Sequence, residues 1–157
     1  MQYLNIIAAM ATIASIASAN SIIFVSRDTT DRTVCWYSAP GSATIPKTSV
    51  PGRGTVHVPI PEGWEGAWQT SKSATDCGPV GIRGEIKFNG FEDKSWYDVS
   101  AIDNLTNNEG VHWLYPQSGN GVHSGCEKFP CDTSYNRPDD KQTQVTDEKD
   151  LICEIGG

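Results

Sequence analysis

The chain has 157 residues, five cysteines and a formal net charge of −7 at pH 7. An acidic protein has no electrostatic reason to bind nucleic acid or an anionic membrane, whereas it tolerates cationic partners or neutral polar ones such as glycans. The three histidines, His57, His112 and His123, match no helical or hairpin spacing of metal ligands, so we expect no metal site and no cofactor.

The first 19 residues have the pattern of a secretory signal peptide. Residues 4–17 are mostly apolar or small, and Ala17-Ser18-Ala19 is a cleavage signal of the A-x-A type before Asn20. We therefore expect a secreted, extracellular protein that begins at Asn20. The remaining residues, 20–157, are enough for one domain, which we expect to be a monomer.

Short apolar or β-branched runs separated by glycine and proline predict an all-β fold. Such runs occur at residues 21–26, 33–37, 55–60, 64–70, 111–115 and 151–155. No apolar period near 3.6 residues extends over more than two turns, so we expect no long helix. Residues 39–54 are predicted to form a loop, and residues 136–150 an acidic polar loop. The pattern is typical of a single β-sandwich or barrel supported by disulfides.

The stretch from residue 84 to residue 103 predicts a β-hairpin. Polar and apolar residues alternate over 85–88 and again over 96–100, and an Asn-Gly turn signal lies between the two runs. A turn centred near residues 91 and 92 places Glu85 opposite Asp98 and Lys87 opposite Trp96. The other face of the hairpin then belongs to the core, with these members: Ile86, Phe88, Tyr97 and Val99.

Opposed carboxylates destabilise a hairpin, so the expected pair of Glu85 and Asp98 indicates a binding site or, alternatively, a solvated strand face that Lys87 compensates. Most of the five tryptophans are expected to pack in the core. Trp96 is the exception, because the register places it beside Asp98 on the outer face.

The five cysteines of a secreted chain are expected to form disulfides, at most two, which leaves one thiol. They are Cys35, Cys77, Cys126, Cys131 and Cys153. Asn104-Leu105-Thr106 is a sequon for N-glycosylation, which predicts a surface loop at that point.

Several segments resemble the thaumatin-like proteins, in particular their small fungal-type members. The resemblance covers most of residues 20–135 and is carried by these segments: Trp68-Gln69-Thr70 with Cys77 beyond it, Gly84-Glu85-Ile86-Lys87-Phe88, Tyr97-Asp98-Val99-Ser100 with Asp103, and Gly125-Cys126 with Cys131. It implies a thaumatin-like β-sandwich that lacks the cysteine-rich lower domain of the larger members.

The resemblance also implies a site and a pairing of the cysteines. Glu85, Asp98 and Asp103 match three acidic residues of the family's cleft, whereas Gln69 stands where the family has an arginine. Together with Trp96, which the hairpin register places beside Asp98, these residues make up the expected ligand-binding set: Glu85, Trp96, Asp98, Asp103 and Gln69. The implied disulfides are Cys35–Cys153 and Cys126–Cys131, with Cys77 free.

The main hypothesis from the sequence is a secreted thaumatin-like protein that binds a β-1,3-glucan-like cell-wall polysaccharide through its acidic face. One alternative is a weak endo-β-1,3-glucanase, with Glu85 as the acid and Asp98 or Asp103 as its partner. The other is a non-enzymatic secreted effector whose partner is a host or cell-wall protein. Gln69 and the absence of the lower domain favour this last hypothesis.

Overall fold

In a computed structural model, residues 20–157 are described, so the predicted signal peptide lies outside the described residues. Eleven strands occur in this part of the chain, together with one 3-10 turn at Phe91–Asp93. In chain order the strands are β1 (Asn20–Ser26), β2 (Arg32–Ser38), β3 (Thr48–Val50), β4 (Thr55–Ile60), β5 (Glu65–Ser71), β6 (Arg83–Lys87), β7 (Ser95–Ser100), β8 (Val111–Pro116), β9 (Ser124–Gly125), β10 (Gln144–Thr146) and β11 (Asp150–Ile155).

The strands form two sheets, which confirms the predicted all-β, sandwich-like class. One sheet has five strands in the order β4-β1-β11-β8-β9, and the other has six in the order β10-β7-β6-β5-β2-β3. The last strand, β11, lies between β1, to which it is parallel, and β8, to which it is antiparallel. Both ends of the described chain are thereby fixed in the middle of one sheet.

The core lies between the two sheets, where alternate side chains of each strand meet. Ile22 and Phe24 of β1 are fully buried, as are Leu151, Cys153 and Ile155 of β11. Period-two alternation explains this pattern, because successive side chains of a strand point to opposite faces.

Aromatic rings join the two sheets within this core. Phe24 contacts Trp36 and Trp68 of the facing sheet edge-to-face, with ring centroids 5.6 and 6.0 Å apart. Trp64 packs against Trp36 in the same manner, at 5.6 Å. Edge-to-face pairs are a favoured arrangement of aromatic side chains. Three of the five tryptophans therefore serve the core, as expected.

Gly84 is required by the close approach of β6 to a buried ring. It pairs with Trp68 of β5, and a Cβ atom at position 84 would lie 2.3 Å from a ring carbon of Trp68. Any larger residue would displace a fully buried tryptophan. The glycine thus fixes how closely β5 and β6 pack at the centre of the six-stranded sheet.

Two short edge strands lie where the sequence predicts loops. β3, within residues 39–54, pairs with β2, and β10, within residues 136–150, pairs with β7. Each has three residues and lies at an edge of the six-stranded sheet. Because each of these strands buries at most one side chain, its sequence shows no alternation of apolar and polar residues.

One predicted disulfide is wrong. Cys35 is bonded to Cys77 and not to Cys153, whereas the Cys126–Cys131 bridge is present as expected. Val34 and Trp36 point to the core, so Cys35 points to the outer face of its sheet. Cys153 points into the core from the facing sheet, where it is a fully buried free thiol. Burial raises its pKa to about 12, so it stays protonated.

Candidate functional site

The hairpin of β6 and β7 has the register predicted from the sequence. Glu85 pairs with Asp98, and Lys87 pairs with Trp96. The predicted core members of the hairpin are buried, with exposures between 0 and 4%: Ile86, Phe88, Tyr97 and Val99. Glu85 and Asp98 therefore lie side by side on the outer face of the six-stranded sheet.

A groove runs across this outer face because one position in it carries a small side chain. Tyr37, Ala67, Glu85 and Asp98 are in register on four neighbouring strands, β2, β5, β6 and β7. Ala67 leaves space between the ring of Tyr37 and the two carboxylates, and Trp96 also lines the groove. Its volume is about 350 Å³, near the lower end for small-molecule sites.

The basic side chains of this face are already engaged with other carboxylates. Lys87 forms an ion pair with Glu65, with 2.8 Å between Nζ and Oε2. Arg83 pairs with Asp103 at 3.0 Å between nitrogen and oxygen. Within residues 20–157, no lysine, arginine or histidine forms an ion pair with Glu85 or Asp98. The two opposed carboxylates therefore have no ion-pair partner in this part of the chain, although the charge of Arg83 acts on Glu85 from a greater distance.

Asp98 is the more buried of the two carboxylates, with only 9% of its surface exposed. Its Oδ2 accepts a 3.3 Å hydrogen bond from the hydroxyl of Thr143, which is itself 2.8 Å from the hydroxyl of Tyr135. Its Oδ1 accepts no hydrogen bond from the described part of the chain. Burial, reinforced by the charge of Glu85, raises the pKa of Asp98 to about 7, against the lowering effect of Thr143.

Glu85 is half-buried, and burial also raises the pKa of its carboxyl. The nearby charge of Arg83 opposes this rise, while that of Asp103 adds to it. The groove therefore holds two acids that both resist ionisation. Ionisable side chains whose pKa is shifted in this way occur more often at functional sites than elsewhere on a protein.

Three other residues named from the sequence lie around this pair in different ways. Trp96 is half-buried beside Lys87 and lines the groove as predicted. Asp103 is exposed and joins the site only through its ion pair with Arg83. Asn104 lies in the turn after β7, where its side-chain amide is 3.4 Å from the carbonyl of Val80. Its glycosylation stays a prediction.

Gln69 does not reach the groove. It is 1% exposed, and its amide donates hydrogen bonds to the carbonyls of Cys77 and Pro79 while its oxygen accepts one from the amide of Gly81. These bonds hold residues 72–82 over the outer face, beside the Cys35–Cys77 bridge. Its polar atoms are used to hold this loop, so the structure places it apart from the groove, and its expected role in ligand binding stays a prediction.

Six residues that line the groove are absent from the sequence prediction: Tyr37, Ala39, Glu65, Gly66, Ala67 and Thr143. Tyr37 and Ala67 follow from strand alternation once the order β2-β5-β6-β7 is known, but the sequence does not reveal this order. Thr143 lies in the acidic polar segment just before β10 and gives no local signal.

Residues 20–157 contain no group of three or more His, Cys, Asp or Glu side chains that could hold a metal ion. They also contain no helix long and apolar enough to cross a membrane.

The comparisons with known proteins overturn the thaumatin-like resemblance. No family model matches the chain. The antigenic protein SchS21 of Stachybotrys chartarum is 38% identical over 136 residues, which are 87% of this chain and 94% of that protein. The crystal structure of the protein elicitor MoHrip2 from Magnaporthe oryzae is similar with a TM-score of 0.67, at 20% identity, over 88% of this chain and 100% of that one.

The thaumatin-like assignment is therefore wrong, because SchS21 and MoHrip2 are proteins of another kind. The short motifs that suggested it are those of one β-hairpin and one small disulfide loop, which any sheet protein can acquire. The structural match to MoHrip2 bears on the fold alone. The identity to SchS21 over nearly the whole of both chains shows that the protein belongs to the family of the antigenic protein SchS21.

Proposed function

We propose that this protein is a secreted, non-enzymatic recognition protein that acts by binding a host protein. Its similarity is to a protein named antigenic and, in fold, to one named an elicitor. Both names describe proteins that act through being recognised. Two disulfides in a chain of this size fit an oxidising, extracellular location.

The pair of Glu85 and Asp98 is the observation that supports this proposal. A buried carboxylate without an ionic partner is costly, and a fold gains nothing by placing a second carboxylate directly opposite it. Asn at position 98 would accept the hydrogen bond of Thr143 without that cost. A pair of carboxylates without an ion-pair partner in the described chain is therefore best explained by a partner protein that contacts it.

The polysaccharide hypotheses have lost the resemblance on which they rested. Most glycosidases use a pair of carboxyl groups, one of which has a raised pKa. Hydrolysis of β-1,3-glucan is therefore measured alongside the response. A recognition protein needs no turnover, and its groove need not exclude water from a reacting bond. Binding to a host protein accounts for the pair with fewer requirements.

The test applies the protein, purified from the medium of a secretion host, to leaf discs and measures hydrogen peroxide release. We expect a response to the native protein, and for the Glu85→Gln/Asp98→Asn double variant a half-maximal response at about tenfold higher protein concentration, which corresponds to about 1.4 kcal/mol of binding free energy. Glu62→Gln, an exposed charge change in the turn before β5, is the matched control and should respond like the native protein.

The same preparations are incubated with soluble β-1,3-glucan, and reducing ends are measured. If the native protein and the double variant cause equal hydrogen peroxide release, the groove is not part of the surface that binds the host protein. Reducing ends released by the native protein and not by the double variant would show an enzyme and contradict the non-enzymatic proposal.

A further inference from the structure

We propose that the groove between Tyr37 and Trp96 binds a basic side chain, arginine or lysine, that the partner protein presents. This inference rests on the proposed function and names the chemistry that the recognition surface selects. It is carried by the charges, the hydrogen bonds and the aromatic walls of the groove.

The charges of the groove call for a cation from outside. Lys87 and Arg83 lie on β6, the strand of Glu85, and both form ion pairs with other carboxylates, Glu65 and Asp103, at 2.8 and 3.0 Å. Arg83 also acts on Glu85 through its charge, but forms no ion pair with it. Glu85 and Asp98 are opposed across β6 and β7 without such a partner in the described chain. A guanidinium or ammonium group placed against them supplies the missing charge. The formal net charge of −7 also draws a basic partner toward the protein.

Within the described chain, Asp98 also lacks a hydrogen-bond donor for one of its two carboxylate oxygens. The side chain is only 9% exposed, and one carboxylate oxygen, Oδ1, has no donor among residues 20–157. Buried polar atoms are otherwise almost always hydrogen-bonded. Arginine and lysine are pure donors, with five and three N–H groups, so either one satisfies the carboxylates without bringing an acceptor that would be repelled.

The aromatic walls favour a cation over a neutral ligand. The ring of Tyr37 is 44% exposed and already has the guanidinium carbon of Arg83 at 5.9 Å from its centroid. Cations bind over aromatic faces within about 6 Å of the centroid. Trp96 lines the groove on the β7 side. Carboxylates combined with exposed rings form the usual setting for a basic side chain.

The charge of Asp98 sets the expected pH dependence of this binding. The groups that face it are Glu85 from β6, with Arg83 and Lys87 on the same strand, and Thr143 with Tyr135 from the segment before β10. With burial raising its pKa to about 7, Asp98 is largely neutral at pH 5.5 and largely charged at pH 8. A basic ligand should therefore bind more tightly at pH 8 than at pH 5.5.

The experiment uses a blocked tripeptide, acetyl-Gly-Arg-Gly-amide, titrated into the isotope-labelled protein and followed by NMR. The amide signals of Ala67, Glu85 and Asp98 and the indole signal of Trp96 should shift, with affinity about tenfold higher at pH 8 than at pH 5.5. The lysine peptide should act alike, and the glutamine peptide should not bind. Glu85→Gln and Asp98→Asn should each weaken binding, whereas Glu62→Gln should not.

The inference would be overturned if the basic peptides did not bind, or if they shifted only signals away from the groove. It would also be overturned if their affinity increased as the pH falls. Binding of a β-1,3-linked trisaccharide in place of the basic peptides would overturn it as well. Well-dispersed spectra of both variants show that they are folded, so a loss of binding is read directly. If the leaf response depends on the groove but the peptides do not bind there, the inference fails while the proposed function stands.

Discussion

At the scale of single residues, Asp98 shows what a sequence pattern can and cannot give. Alternation over 85–88 and 96–100 was enough to place it opposite Glu85 on the outer face. Its burial could not be predicted, because Thr143 and Tyr135, which lie beside it, belong to a segment with no periodic signal. The position of Gln69 away from the groove could not be predicted either, because the loop that it holds is joined to β2 by a disulfide that the sequence does not specify.

The raised pKa of Asp98 predicts that the protein is more stable at pH 5 than at pH 8. Between its ordinary pKa near 4 and its folded value of about 7, the folded state keeps a proton that the unfolded state releases. The stability gained from that proton is complete below pH 4 and is lost as the pH rises through 7. Carboxyls whose pKa is lowered, such as Asp28, are ionised in both states throughout this range.

Asp98→Asn should therefore raise the free energy of unfolding at pH 8 by about 1 to 3 kcal/mol and flatten its change between pH 5 and pH 8. Urea denaturation at the two pH values measures both effects. Asp139→Asn, at an exposed position, is the control and should leave the pH dependence unchanged. A variant that is less stable than the native protein at pH 8 would show that the carboxylate is a structural partner.

At the scale of elements, the strands that build the core were predictable and the edge strands were not. β1, β2, β4, β5, β8 and β11 each overlap a short apolar, β-branched or aromatic run of the sequence, because at least one face of each strand is buried. β3 and β10 have three residues each, and their pairing is decided by the neighbouring strand. The sheet order depends on contacts far apart in sequence, such as that of β1 with β11, which no local pattern encodes.

The two disulfides should differ in their effect on stability because they close loops of different length. Cys35–Cys77 spans 42 residues, and Cys126–Cys131 spans 5. In the chain-entropy model their removal costs about 4 and about 2 kcal/mol, respectively. Paired serine substitutions at each bridge, followed by urea denaturation, measure the two costs. If removal of Cys126–Cys131 lowered the free energy of unfolding more than removal of Cys35–Cys77, this ranking would be contradicted.

The Cys35–Cys77 pair has a second role, since it covers the outer face next to the groove. Together with Gln69 it holds residues 72–82 against β5, close to the strand positions of Tyr37 and Ala67. We expect loss of this bridge to lower the free energy of unfolding and also to make residues 72–82 less ordered beside the groove. The proposed binding at the groove should then weaken as well.

At the scale of the whole molecule, the two outer faces of the sandwich differ in how their polar groups are satisfied. On the five-stranded sheet, Tyr115 stacks on His123 at 4.0 Å and donates a 2.7 Å hydrogen bond to Glu154. Arg27 lies 3.6 Å from Glu154 and 2.6 Å from Glu127. On the six-stranded sheet, Glu85 and Asp98 form no ion pair within residues 20–157, although the nearby charge of Arg83 acts on Glu85. This difference supports our proposal that the outer face of the six-stranded sheet is the binding face.

The central claim is that Glu85 and Asp98 serve binding at a cost to the fold. The most direct measurement compares thermal unfolding at pH 8 with the leaf response, for the native protein and for the Glu85→Gln/Asp98→Asn variant from one preparation. We predict that the variant's melting temperature rises by about 3 °C or more, while about tenfold more protein is needed for the half-maximal leaf response. A lower melting temperature, or an unchanged response, would contradict the account.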